Sequence, residues 1–274
     1  MKDIRVIGLD LDGTLTTSEK KITSHTKEVI RRAIVEKDVK IVLASGRPVV
    51  GIVHVAKELE LDKLGGYILA YNGGEILDAK TMEVIDSTYL DKSTYETICD
   101  VYKKFPGVSA LTYEDNEILT AFPENKYVAE EVRCCNVGVR KANDLYERVK
   151  ERDLPKFLEV GAPELLPPVK DYLEPLIGDK ADVFFSCPFF LECVPKGIEK
   201  GSKLATLTKK LGFTTDNLMV CGDAPNDITM LQTAGLGVAM ANGYDEVKAV
   251  ADYITLTNDE DGVAAAIEKF ALGL

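Results

Sequence analysis

Short apolar, β-branched runs alternate with helically spaced hydrophobic residues at both ends of this chain. Runs at 4–9, 40–44 and 66–70 predict strands. Between them, Val29, Ile30, Ala33 and Ile34, and then Ile52, Val53, Ala56 and Leu59, repeat with the period of a helix. Ser24 is the expected N-cap of the first of these helices, and Pro48 suits the first turn of the second. The alternation resumes with a helix over 200–211, a strand at 218–221, a helix over 225–233, strands at 237–240 and 251–255, and a last helix. Strands that alternate with helices predict a parallel, doubly wound sheet.

The middle of the chain has a different pattern. Residues 75–77 and 84–89 read as a hairpin, and strand-like runs follow at 108–113, 117–121, 157–160, 183–187 and 189–193 with helices between them. Strands in quick succession predict an antiparallel α+β module. The expected fold is therefore α/β, a Rossmann-like parallel-sheet core with an inserted α+β domain. Residues 1–82 and 190–274 are assigned to the core and 83–189 to the insertion.

Composition narrows the class without changing this picture. At 274 residues, 46% hydrophobic and 28% charged, the chain has the profile of a globular protein with room for two modest domains. No apolar run approaches the roughly 18 residues that span a bilayer, and the first residues lack a signal-peptide pattern. The six cysteines stand at 99, 134, 135, 187, 193 and 221 with no CxxC or His-paired zinc spacing. A cytoplasmic location is expected. The net charge of −12 argues against nucleic acid or an anionic membrane as partner. No obligatory protein partner is evident. An anionic substrate would have to be held by local positive groups.

Candidate chemistry gathers where predicted strands end. The first strand closes on Asp10-Leu11-Asp12-Gly13-Thr14, two carboxylates at i and i+2 before a breaking Gly-Thr. Along a strand such side chains point the same way, so Asp10 and Asp12 would share one small space, at a cost that a bound cation would offset. An EF-hand loop does not fit, because its sixth and twelfth positions counted from Asp10 hold Leu15 and Lys21 rather than Gly and Glu. The second strand ends in Ser45-Gly46-Arg47-Pro48 before a helix, a natural site for an anion. Lys196, Lys200 and Lys203 crowd the start of a later helix. The strand at 218–221 runs into Gly222-Asp223-Ala224-Pro225-Asn226-Asp227. Each stretch alone has an ordinary reading as a solvated turn or a dipole complement; four of them at strand ends point to one site.

Together these residues resemble the haloacid dehalogenase superfamily, and within it the Cof-type phosphatases, whose α/β cap is inserted after the third core strand. Asp10-Leu11-Asp12-Gly13-Thr14 resembles the first family motif, Ser45-Gly46-Arg47-Pro48 the second, Lys200-Gly201 the third and Gly222–Asp227 the fourth. Tyr71-Asn72-Gly73-Gly74 resembles the subgroup's Asn-Gly turn, and the stretches at 237–242, 251–255 and 261–263 resemble its tail. The resemblance covers the two outer parts of the chain, while the insertion matches in position and size. It implies a phosphatase acting on a small phosphorylated metabolite, with sugar phosphates as the family-level substrate class. It also implies Mg²⁺ on Asp10, the backbone carbonyl of Asp12, and Asp223. Asp10 would be the nucleophile and Asp12 the general acid and base. Ser45, the N–H groups of Leu11 and Gly46, Lys200 and Asn226 would hold the phosphoryl oxygens, with Asp227 orienting metal waters or Lys200. Among the three lysines, Lys200 is preferred because it is followed by Gly at the helix start. A phosphomutase of the same superfamily could use the same residues, and a non-catalytic binding protein is the alternative from another class.

Overall fold

The computed structural model describes residues 3–274. Two compact units divide them. The first comprises the described residues up to Gly46, Ile52–Asp86 and Glu199–Leu274; the second comprises Arg47–Gly51 and Ser87–Ile198.

The first unit is built on an eight-stranded sheet. In chain order its strands are β1 (Val6–Leu9), β2 (Lys40–Ala44), β3 (Tyr67–Ala70), β4 (Glu75–Asp78) and β5 (Val84–Ser87). After the second unit's strands (β6–β11) come β12 (Leu218–Gly222), β13 (Leu236–Ala239) and β14 (Tyr253–Ile254). The order across the sheet is β14-β13-β12-β1-β2-β3-β4-β5. Neighbours from β14 to β3 run parallel, and β4 returns antiparallel to β3. This is the expected doubly wound core. Its inner strands are apolar because both faces are covered; β1 is buried along its whole length. The chain builds outward from β1 through β2 and β3 on one side, and from β12 through β13 and β14 on the other. The winding therefore reverses between β1 and β12, where ligands of open α/β sheets bind at the carboxyl ends. Val6, Val42, Leu69, Leu204 and Val220 belong to one buried apolar cluster of this unit.

Three local expectations are corrected. The N-cap of helix Ser24–Lys37 is Thr23, not Ser24; its hydroxyl accepts from the Thr26 N–H at 3.0 Å. The two strands read as a hairpin extend the first sheet as β4 and β5, so the second of them, assigned to the insertion, lies in the first sheet. The strand read at 189–193 with the middle module, which the boundary at 190 cut, runs over Phe190–Pro195 in the second unit's sheet. The units accordingly divide at Asp86 and at Ile198.

The second unit has a six-stranded sheet of β6 (Ser109–Glu114), β7 (Glu117–Thr120), β8 (Gly138–Lys141), β9 (Phe157–Val160), β10 (Ala181–Cys187) and β11 (Phe190–Pro195), in the order β10-β11-β9-β6-β7-β8. All its pairs are antiparallel except β7 with β8. The α+β character read from the middle of the chain is thus present. Ile98, Val149, Phe157, Leu173 and Leu191 share its core, with the Tyr95 ring edge-on to Phe157 at 5.1 Å. Another set of buried side chains is polar: the Tyr113 hydroxyl donates to Glu131 at 2.6 Å, and Lys156 pairs with Glu192 at 2.8 Å.

Candidate active site

Register places the site. Leu9, the last residue of β1, lies opposite Leu43 of β2 and Cys221 of β12. Asp10, Ser45 and Asp223 therefore emerge at the carboxyl ends of adjacent parallel strands. The Asp10 N–H still donates to the Cys221 carbonyl at 3.1 Å, and the chain then turns back sharply, with Leu15 donating to Asp10 and Thr16 to Leu11 at 3.2 and 2.9 Å. Gly13 makes this turn possible. Its φ of +82° suits glycine, and a Cβ there would stand 2.5 Å from Asp223 Oδ2. The Thr14 hydroxyl donates to the other oxygen of Asp223 at 2.7 Å.

Lys200 is the first residue of helix Lys200–Lys210 and is completely buried. Its Nζ donates to Asp10 Oδ1 at 2.6 Å and to Asp227 Oδ1 at 2.7 Å. Asp227 Oδ2 accepts from the backbone N–H groups of Asp223 and Ala224 at 3.0 and 3.1 Å. Gly222 keeps Asp227 tucked under the strand end, since a Cβ there would lie 2.6 Å from that of Asp227. Each of Asp10, Asp223 and Asp227 offers an oxygen within 4.8 Å of the others. Burial, with Asp227 adding like charge, pushes the Asp10 carboxyl upward against the pull of Lys200. Burial also raises Asp223 to about 6, opposed by the Thr14 hydrogen bond. Burial alone would lower the Lys200 ammonium, but Asp10 and Asp227 together drive it up.

Asp12 is placed differently from the expectation. The chain has left the strand by Leu11, so strand alternation no longer holds Asp12 beside Asp10. Asp12 is not part of the three-carboxylate group; its Oδ1 pairs with Lys20 Nζ at 2.7 Å, and its side chain is 38% exposed. The competing lysines have other partners. Lys196 pairs with Asp182 at 2.7 Å, half in solvent, and Lys203 pairs with Asp86 at 2.6 Å.

Ser45 is buried at the end of β2, its N–H on the Leu69 carbonyl at 2.9 Å, and Leu11 is buried in the turn after β1. Gly46 follows Ser45, and Asn226 stands in the 3-10 turn Pro225–Asp227, its amide donating to Asn72 Oδ1 at 3.2 Å. Four residues not assigned to the site from sequence join it. Thr14, Asn72 and Asn242 lay within stretches already singled out. Lys20 had no local signal. Asn242, whose amide donates to the Gly13 carbonyl at 2.8 Å, comes from beyond the end of β13 and is far away in sequence.

Known proteins match this chain along most of its length. A family model described as haloacid dehalogenase-like hydrolase matches residues 7–267. A 5-amino-6-(5-phospho-D-ribitylamino)uracil phosphatase of Bacillus subtilis is 32% identical over 272 residues, spanning 98% of this chain and 97% of that one. The crystal structure of a haloacid dehalogenase-like hydrolase from Bacteroides thetaiotaomicron is 41% identical with a TM-score of 0.92, covering 97% of this chain and 99% of that one. A subclass IIB sugar phosphatase structure is 26% identical with a TM-score of 0.82, covering 98% and 99%. The strand-end carboxylates, the buried lysine and the full-length match lead to one conclusion: the chain belongs to the haloacid dehalogenase-like hydrolases.

Proposed function

We propose that this chain is a cytoplasmic, Mg²⁺-dependent phosphatase that hydrolyses small phosphate monoesters, sugar phosphates or related metabolites, through an aspartyl-phosphate on Asp10. The observation that carries the proposal is the fully buried Lys200 ammonium held between Asp10 and Asp227, with Asp223 alongside. The likeness to a sugar phosphatase and to a phosphatase of a ribityl phosphate supports the substrate class.

The residues fit a hard divalent cation. Carboxylate oxygens are the donors Mg²⁺ prefers, and Asp10, Asp223 and Asp227 each offer one within 4.8 Å of the others. Asp10, the Asp12 backbone carbonyl and Asp223 are assigned as its ligands. Both oxygens of Asp227 are already engaged, which leaves that residue to orient Lys200 and the backbone at 223–224. When bound, Mg²⁺ offsets the phosphate's negative charge, which otherwise repels a carboxylate nucleophile.

The chain's own groups then divide the work. A carboxylate oxygen of Asp10 forms the new bond to phosphorus as the ester P–O bond breaks, and Asp12 gives its proton to the departing alkoxide. Asp12 then takes a proton from water as that water attacks the phosphoenzyme. Inorganic phosphate leaves and the Asp10 carboxylate is restored. Lys200 uses two of its three N–H bonds on Asp10 and Asp227 and keeps one for a phosphoryl oxygen. The Ser45 hydroxyl, the N–H groups of Leu11 and Gly46, and the Asn226 amide supply further preorganised donors. The second unit, as the family's cap, selects among leaving groups.

The test is release of inorganic phosphate from an aryl phosphate by the pure protein, with Mg²⁺ or with chelator, and no sugar bisphosphate added. Release that needs Mg²⁺ and vanishes in Asp10→Asn is the expected result. A mutase would release very little, a binding protein none, and undiminished turnover by Asp10→Asn would overturn the mechanism.

A further inference from the structure

The turn between β3 and β4 holds two consecutive non-glycine residues in left-handed backbone, Tyr71 with φ of 54° and Asn72 with φ of 55°. Both are buried. That region is unfavourable for any side chain, asparagine least so, and such residues persist where surrounding structure holds them in place. The contacts of Asn72 lead to the candidate site. The Asn72 N–H donates to the Ser45 carbonyl at 3.0 Å. Its Oδ1 accepts from the Asn226 amide at 3.2 Å. A Cβ at Gly46 would stand 3.0 Å from Asn72 Nδ2 and 3.1 Å from Oδ1, so the amide lies directly against the Gly46 backbone. Asn72 thus meets the loop after β2 through its N–H and the turn after β12 through its side chain.

We infer that Asn72 is a positioning residue that sets the Asn226 amide, together with the Gly46 backbone, for the phosphoryl group. This rests on the reading of Gly46 and Asn226 as phosphoryl-holding groups. Asn72 itself need not touch substrate. Its left-handed backbone brings the amide between the two loops, and Oδ1 fixes which way the Asn226 amide turns. A donor set in advance holds an anion better than one that must be ordered at each encounter.

Glycine separates the two parts of this role, because Asn72→Gly keeps the left-handed backbone without strain and removes only the amide. The experiment compares parent, Asn72→Gly, Asn226→Ala and the double variant. It reads kcat and KM with an aryl phosphate, the inhibition constant of inorganic phosphate, and thermal melting. For Asn72→Gly we expect KM and the phosphate inhibition constant to rise about tenfold, with kcat within about threefold, the pattern of lost binding rather than lost chemistry. Asn226→Ala should weaken phosphate at least as much. The double variant should match Asn226→Ala within about twofold, since a residue acting through Asn226 has nothing left to act on. Parent-like phosphate affinity in Asn72→Gly would overturn the inference, and so would losses that multiply in the double variant. Asn226→Ala behaving as the parent would overturn it too, while leaving the phosphatase reading to stand on Asp10.

Discussion

Lys200 spends two N–H donors on the buried carboxylates of Asp10 and Asp227, so its removal takes that partner from both and loses a phosphoryl contact. Lys200→Ala should cut kcat/KM at least about a hundredfold, or about 2.7 kcal/mol, and lower thermal stability. Lys196→Ala, which removes a half-exposed pair with Asp182, should stay within a few-fold of the parent in activity. Lys203→Ala should cost stability through Asp86 more than turnover. A crippled Lys196→Ala would move the third family motif by four positions. The position of Lys200 at a helix start, followed by Gly201, was legible in the sequence. Thr14 and Asn72 were visible only as neighbours of chemistry, and Lys20 not at all, since its pairing with Asp12 depends on a turn that no local pattern announces. The same holds for Glu159, which sits in strand β9 with neither carboxylate oxygen hydrogen-bonded. Burial drives its pKa well above 4.5. Its folded-state pKa exceeds the unfolded one, so its contribution to stability is complete below the unfolded value and is lost as pH rises through the folded value. Glu159→Leu should therefore gain on the parent as pH rises above about 4.5, by up to about 1.4 kcal/mol per pH unit until the folded pKa is passed. Melting curves across that range check it. A gap that does not change with pH would mean that the carboxyl is not held neutral.

At the scale of elements, the helix Lys200–Lys210 owes its position to Gly201. A Cβ there would stand 2.4 Å from the Thr229 carbonyl oxygen and 2.6 Å from its carbon, both backbone atoms of the neighbouring helix. Replacing glycine by alanine inside a helix ordinarily gains about 1 kcal/mol, whereas overpacking costs about 1–3 kcal/mol. With backbone as the obstacle, the steric cost wins. Gly201→Ala should lower both melting temperature and kcat/KM, because the displaced helix carries Lys200. Ser202→Ala, one residue on and exposed, should be neutral in both; a loss of equal size there would point to the helix start in general rather than to this contact. The elements of the first sheet were legible because buried parallel strands are continuous apolar runs between helices. Strand β8 was not, since Gly138–Lys141 is a mostly exposed edge with no apolar alternation. Strand β11 was read with the strands of the inserted module, but the boundary drawn at 190 cut it off from them. It is buried over its whole length, like a core strand, and only its pairing with β9 and β10 reveals where it belongs.

For the whole molecule, each unit has its own sheet and its own buried cluster, so the first should survive loss of the second. Joining Asp86 to Glu199 through a short flexible linker removes residues 87–198 while keeping every site residue named above, from Asp10 to Asn242. Residues 47–51, which group with the second unit, would lose their packing there and should become mobile. The net charge of −12 should help keep the shortened chain soluble against newly exposed apolar surface, although part of that charge leaves with the excised segment. A cooperative melt is expected, since Val6, Val42, Leu69 and Val220 pack together within the part that remains. Activity on a small aryl phosphate should persist at a reduced level, because the Asp10, Lys200, Asp223 and Asp227 constellation lies wholly in the first unit. Preference among sugar phosphates should flatten, as the groups that discriminate leaving alcohols are assigned to the excised unit. Measuring kcat/KM over a panel of phosphate esters, for the full chain and the shortened one, decides the matter. A flattened ranking with aryl phosphatase intact assigns selectivity to residues 87–198. An unchanged ranking would assign it to the first unit and remove the selective role proposed for the second.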